Sequence, residues 1–147
     1  MQRRGNTMSA MLGELDHVAY LAGDLETAVA EFQALFDLPV VRWFERPQFA
    51  LQGVFLGAGE GNVELFSFTE DELIERRLGS ARVRLDHVGY RVADIDATVA
   101  RLRERGVRFC GPDMRVELHE PLELGGTRHL WTLPETTHDQ SIQLMGR

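Results

Sequence analysis

The chain repeats itself. Leu15-Asp16-His17-Val18-Ala19-Tyr20 returns 70 residues later as Leu85-Asp86-His87-Val88-Gly89-Tyr90. With Asp24/Asp94, Val29/Val99 and Ala30/Ala100, eight of the sixteen positions from 15 to 30 are identical to their counterparts. Average residue usage would give about one. The 147 residues therefore read as two copies of one unit, module one over 13–72 and module two over 83–147, within a single domain over 13–147. Residues 1–12 are read as a flexible tail, and Thr69–Val83 as the joining stretch, acidic at Glu70-Asp71-Glu72 and basic at Arg76-Arg77.

Both copies carry the same pattern. Leu15–Leu21 is rich in β-favouring residues and predicts a strand. Asp24 then caps a helix whose apolar residues, Leu25, Ala28, Val29, Phe32, Leu35 and Phe36, recur at helical spacing, with Pro39 in its exit loop. Asp94 caps the second helix, with Ile95, Val99 and Leu102, and Gly106 lies just past its end. Val40–Phe44, Phe49–Leu56 and Asn62–Phe68 follow as strands in the first copy, and Val107–Cys110, Thr127–Leu133 and Gln140–Met145 in the second, while Gly111–Gly126 fits no element. Two βαβββ units predict an α+β fold.

Side chains alternate across a strand, so His17 and His87 share a face with their apolar neighbours, and Asp16 and Asp86 are expected on the other. A pseudo-twofold axis brings equivalent positions together, and imidazole is the commonest metal ligand. The last strand of each copy holds one polar residue in matching apolar surroundings, Glu64 in Val63-Glu64-Leu65 and Gln143 in Ile142-Gln143-Leu144. His17, Glu64, His87 and Gln143 together offer two nitrogens and two oxygens to one divalent ion, zinc, cobalt, nickel, manganese or iron, with positions left open. Glu64 is the only one of the four able to serve as a general base.

These motifs resemble the vicinal oxygen chelate superfamily, which includes glyoxalase I, methylmalonyl-CoA epimerase, extradiol dioxygenases and the fosfomycin and bleomycin resistance proteins. The resemblance covers about residues 13–146. It implies two tandem βαβββ modules in a curved mixed-sheet cradle, with His17, Glu64, His87 and Gln143 around a metal. Phe55-Leu56-Gly57 leading to Val63-Glu64-Leu65, and Pro134 nine residues before Gln143, are most similar to methylmalonyl-CoA epimerase. At the position of that enzyme's second base stands Gln48, after Pro47, and glutamine takes no proton. The implied function is that of a metal-dependent isomerase or lyase acting on a small oxygenated substrate through a metal-stabilised enolate, as a homodimer. Two alternatives stay open: an Fe(II) extradiol-type dioxygenase, and a metal-free small-molecule-binding or resistance protein.

Composition narrows the rest. With 23 acidic against 16 basic residues and a net charge of -7, no nucleic-acid partner is expected. No apolar run is long enough to predict a membrane span. The single cysteine, Cys110, allows no internal disulfide, which fits a cytoplasmic location, and it reads as a buried hydrophobe. Phe44, Phe55, Phe66 and Trp131 are candidate pocket residues, and Arg42, Arg46, Arg115 and Arg128 candidate anion binders. His138 could enter the mouth of the site, His119 is expected to be exposed, and the face of His129 is not fixed by counting.

Overall fold

Leu15–Ala22 (β1) and Val83–Arg91 (β5), the strands that open the two repeats, pair antiparallel in the middle of the sheet, with Val18 opposite Val88. The computed structural model describes residues 10–147, and the tail expected over 1–12 lies mostly outside them. Among the described residues there are nine strands and three α-helices. In the first repeat, β1 leads to α1 (Leu25–Phe36), β2 (Val40–Arg46), β3 (Leu51–Leu56) and β4 (Val63–Phe68). A linking helix, α2 (Asp71–Leu78), precedes β5. The second repeat continues with α3 (Ile95–Glu104), β6 (Phe109–Cys110), β7 (Leu122–Leu124), β8 (Thr127–Thr132) and β9 (Ser141–Gly146). The sheet order is β2-β3-β4-β1-β5-β9-β8-β6, with β7 also on β8. Strand β4 runs parallel to β1 and β9 parallel to β5, while the other pairings are antiparallel, giving the mixed, curved sheet the resemblance implies.

The two crossover helices begin as their sequences predict. Asp24 accepts a hydrogen bond from the Thr27 amide at 3.1 Å, and Asp94 one from the Ala97 amide at 3.0 Å. Helix α1 ends on Asp37 in the left-handed conformation, φ 52°. Its apolar stripe, Leu25, Ala28 and Val29, packs on Val54, Leu56 and Leu65, which project from the outer face of the sheet. Helix α3 does the same with Ile95 and Val99 against Phe109, Leu130 and Leu144. A fully buried Leu or Phe contributes about 1.5–3 kcal/mol to stability, so these two stripes anchor both helices outside the cradle, away from its inner face.

Three expectations need correction. The stretch Thr69–Val83 is not only a connector, because α2 forms within it and buries Leu73 and Leu78 against Ala19, Leu21, Phe66 and Phe68 on the inner face. Its charge order favours a helix, acidic in the first turn and basic in the last, as the helix dipole prefers. Phe49 belongs to a 3₁₀ turn, Pro47–Phe49, rather than to β3; Ala50, at φ 53°, ends that turn. The unassigned segment contains β7, which lies on β8 in line with β6, so the second copy's counterpart of β2 is one strand interrupted by a loop over 111–121.

Candidate metal centre and substrate cavity

The β1–β5 ladder departs from simple alternation at two places. Leu15 pairs with Tyr90 and His17 with Gly89, so Asp16 is an extra residue on β1. Ala19 pairs with His87 and Tyr20 with Leu85, which leaves Asp86 extra on β5. Such bulges re-aim a side chain. The two aspartates therefore do not turn away from their histidines. Each accepts a hydrogen bond from its neighbour's Nδ1 at 2.7 Å, Asp16 from His17 and Asp86 from His87. Each carboxylate is also held by an arginine. Arg91 Nε donates to Asp16 at 2.9 Å, and Arg77 Nη2 reaches both oxygens of Asp86 at 2.6 Å while its Nη1 donates to the Pro112 carbonyl at 2.7 Å.

These bonds set the protonation pattern. The His17 bond and the Arg91 contact outweigh partial burial and hold the Asp16 carboxyl below its usual range. Burial alone would raise Asp86, but the His87 bond and the Arg77 charge overcome it and lower the carboxyl as well. With a carboxylate on each Nδ1–H, both imidazoles turn Nε2 inward, the arrangement by which carboxylates orient metal-binding histidines.

The sequence candidates converge. His17 Nε2 lies 3.8 Å and His87 Nε2 3.6 Å from Glu64 Oε2, and these three ligand atoms all fall within 4.8 Å of one another. Gln143 Oε1 lies 3.1 Å from His87 Nε2. All four side chains are buried or nearly so. His17 Nε2 is buried with no hydrogen-bond partner. Two ligands about 2.1 Å from one ion stand roughly 3.0–3.4 Å apart, so the His17, Glu64 and His87 atoms need only small movements to share a cation, with Gln143 Oε1 beside His87. The groups nearest the two Nε2 atoms are oxygens, Glu64 Oε2 and Gln143 Oε1. Burial opposes the charged form of His17, yet the Asp16 and Glu64 carboxylates raise its pKa above the usual value, the response of a site that draws in positive charge. The donor set fits a divalent metal.

Around these groups the inner face encloses a cavity of about 120 Å³. Phe44, Phe55, Phe66 and Trp131, the candidate pocket residues, all line it. Phe44 stacks on Phe55 at a centroid distance of 5.1 Å, its ring filling space that Gly53 leaves open. Arg42 and Arg46 alternate with Phe44 on the inner face of β2, their guanidinium groups 4.4 Å over Phe55 and 5.2 Å over Phe44. Arg115 and Arg128 do not join them, being paired with Glu70 and Asp96. His138 is exposed and is not a lining residue; His119 is exposed, as expected. Gln48 is also exposed and away from the cavity. Cys110 is fully buried, and burial pushes its thiol up to about 12.

Sequence reasoning left one residue of the site undecided. His129 on β8 is buried, lines the cavity and contacts Gln143, whose Nε2 is 2.9 Å from its Nδ1. Burial is the main cause of a pKa lowered to about 4, so its ring is neutral. Its pairing opposite Met145, two positions beyond Gln143, shows that it shares the inner face, a register that counting could not supply across the 3₁₀ turn Pro134–Thr136 and the positive-φ pair His138 and Asp139.

Solved structures with the same architecture include methylmalonyl-CoA epimerase from Mycobacterium tuberculosis, with a TM-score of 0.78 and 19% identity over 95% of this chain and 91% of that one. A selenomethionine form of methylmalonyl-CoA epimerase gives a TM-score of 0.74 and 28% identity over 95% and 98% of the two chains. A methylmalonyl-CoA epimerase in complex with methylmalonyl-CoA and ammonium gives 0.75 and 21%, over 92% and 94%. A search of curated proteins finds no match. The family model described as the glyoxalase/bleomycin resistance protein/dioxygenase superfamily matches residues 16–120, from the first bulge through the loop before β7. By that match, and by the paired repeats that carry it, the chain belongs to the glyoxalase/bleomycin resistance protein/dioxygenase superfamily.

Proposed function

We propose that the protein is a metal-dependent isomerase or lyase acting on a small, oxygenated, anionic substrate, with Glu64 as the proton-transfer residue and His17, Glu64, His87 and Gln143 as metal ligands. The observation that carries this is the convergence of the buried His17, Glu64 and His87 ligand atoms within 4.8 Å of one another, with Gln143 Oε1 beside His87 and His17 Nε2 lacking a hydrogen-bond partner. An ion bound there supplies Lewis acidity toward a substrate oxygen.

The remaining steps belong to side chains. Glu64 is the one carboxylate of the four and can accept a proton from carbon beside the bound oxygen. Gln48, exposed and outside the cavity, supplies no second base, so proton transfer runs on one side of the substrate. The walls of Phe44, Phe55, Phe66 and Trp131 exclude water. Arg42 and Arg46 have no carboxylate partner among the described residues and hold the anionic group of the substrate, pre-oriented by the rings beneath them. The reading includes a single domain over 13–147 with modules 13–72 and 83–147, a cytoplasmic setting and a homodimer. The likeness to methylmalonyl-CoA epimerases makes 2-substituted malonyl thioesters the first substrates to try, followed by α-keto hemithioacetals.

A second reading rests on the same triad. Two histidines and one carboxylate with open positions is also the ligand set of Fe(II) oxygenases, which makes catechols the alternative substrates. Metal analysis of protein purified without chelator separates the two: zinc, cobalt, nickel or manganese supports isomerase or lyase chemistry, and iron with catechol cleavage supports oxygenation. No metal under any loading condition would sink both. Glu64→Gln is expected to lower turnover about 10²–10⁴-fold with metal retained, and full activity would remove Glu64 from its role. Arg46→Gln should raise KM about tenfold or more with kcat little changed, the loss of one charge-assisted contact.

A further inference from the structure

We propose that His129 is a positioning residue that fixes which end of the Gln143 amide faces the ligand set, and so makes Gln143 an oxygen ligand; this rests on the metal reading above. A cation binds the oxygen of an amide and is repelled by its NH₂, yet a glutamine side chain can present either end. At Gln143 the choice is made by the network behind it. The Thr127 hydroxyl donates to the Leu124 carbonyl at 3.3 Å. Its oxygen therefore accepts from His129 Nε2, 2.6 Å away, and that same nitrogen lies 3.2 Å from the Leu124 carbonyl, which can only accept. The His129 proton accordingly sits on Nε2, and Nδ1 is left as an acceptor. Gln143 must offer its NH₂ to Nδ1 at 2.9 Å, which turns Oε1 toward His87 and the ligand atoms. The ring cannot easily turn, because it is buried and stacked on Trp131 with an interplanar angle of 20°.

The repeat supplies an internal control. Trp131 pairs with Gln143 as Phe55 pairs with Glu64, so His129, two residues before Trp131, corresponds to Gly53. The first repeat's ligand is a carboxylate, whose two ends are alike and need no orienting group, and the corresponding position has no side chain. The second repeat's ligand is an amide, and there a histidine stands. The asymmetry in ligands is matched by an asymmetry in support.

The test measures zinc affinity by competition with a chromogenic chelator, and the visible spectrum of the cobalt-loaded protein, for four chains: wild type, His129→Phe, Gln143→Glu and His129→Phe/Gln143→Glu. Loss of an outer partner typically costs 10–100-fold in affinity, and that is the loss expected in His129→Phe, with an altered cobalt spectrum. A glutamate shows an oxygen to the metal whichever way it turns. The double variant is therefore expected to bind within about threefold of Gln143→Glu, which also shows that phenylalanine at 129 is compatible with folding. Wild-type affinity in His129→Phe overturns the inference alone, as does an equal loss in both backgrounds, which would mark His129 as mere packing. Absence of binding by the wild type overturns the metal reading and this inference with it.

Discussion

Gly89 stands directly across the β1–β5 ladder from His17 and leaves the space the imidazole occupies. A methyl group at Gly89 would lie 2.8 Å from His17 Nδ1 and 3.0 Å from Nε2, and the backbone is held between β1 and β9. The ring must yield. Gly89→Ala is expected to lower metal affinity more than about tenfold with the circular dichroism spectrum unchanged, since displaced supporting geometry typically costs that much. An unchanged dissociation constant by calorimetry would show that His17 has a second usable position.

Arg77 should matter far more to stability than its surface counterparts. It grips Asp86 with both partners largely buried, whereas the Arg82–Glu31 pair is exposed. Removing one partner of a buried pair typically costs about 3–5 kcal/mol, because the other charge stays buried alone. Urea unfolding of Arg77→Met should show a loss of that order, and Arg82→Met should show none. Equal midpoints for the two variants would contradict the buried-pair account.

Metal should stabilise the fold by mass action. At free metal 100-fold above its dissociation constant the gain is about 2.7 kcal/mol, or roughly 10 °C in Tm. Dialysis against chelator followed by zinc titration in a thermal scan checks this. The rise should vanish in His87→Ala while that variant still unfolds cooperatively.

The Cys110 thiol, fully buried and pushed up to about 12, should be silent toward a disulfide reagent at pH 8 in the native protein. It should react once the chain unfolds, so the labelling rate in denaturant is expected to follow the unfolding curve. Rapid labelling of the native protein would place the thiol nearer the surface than it lies here.

Much of the architecture is legible because local signals repeat. The 70-residue offset anticipates the two like modules, Asp24 and Asp94 mark both crossover helices, and the four polar candidates on β1, β4, β5 and β9 do meet. The turn of Asp16 and Asp86 toward their histidines is not legible, because alternation along a strand assumes an unbroken ladder and a bulge exists only through its partner strand. The charge order of Asp71-Glu72 and Arg76-Arg77 does carry the signal for α2, and an eight-residue helix with two buried leucines is easily read as a connector. Residues 111–121 interrupt a strand whose halves are aligned only by β8.

The bulged central ladder has a mechanical side. His17 and Glu64 come from the first repeat and His87 and Gln143 from the second, so the four sit astride the seam where β1 meets β5. An ion bound by all of them would act as a rivet through that seam. The two halves could not breathe apart without stretching its bonds, and the ion could not leave without loosening them. Opening of the seam and escape of the metal would then be one event, with amide exchange along β1 and β5 as its clock.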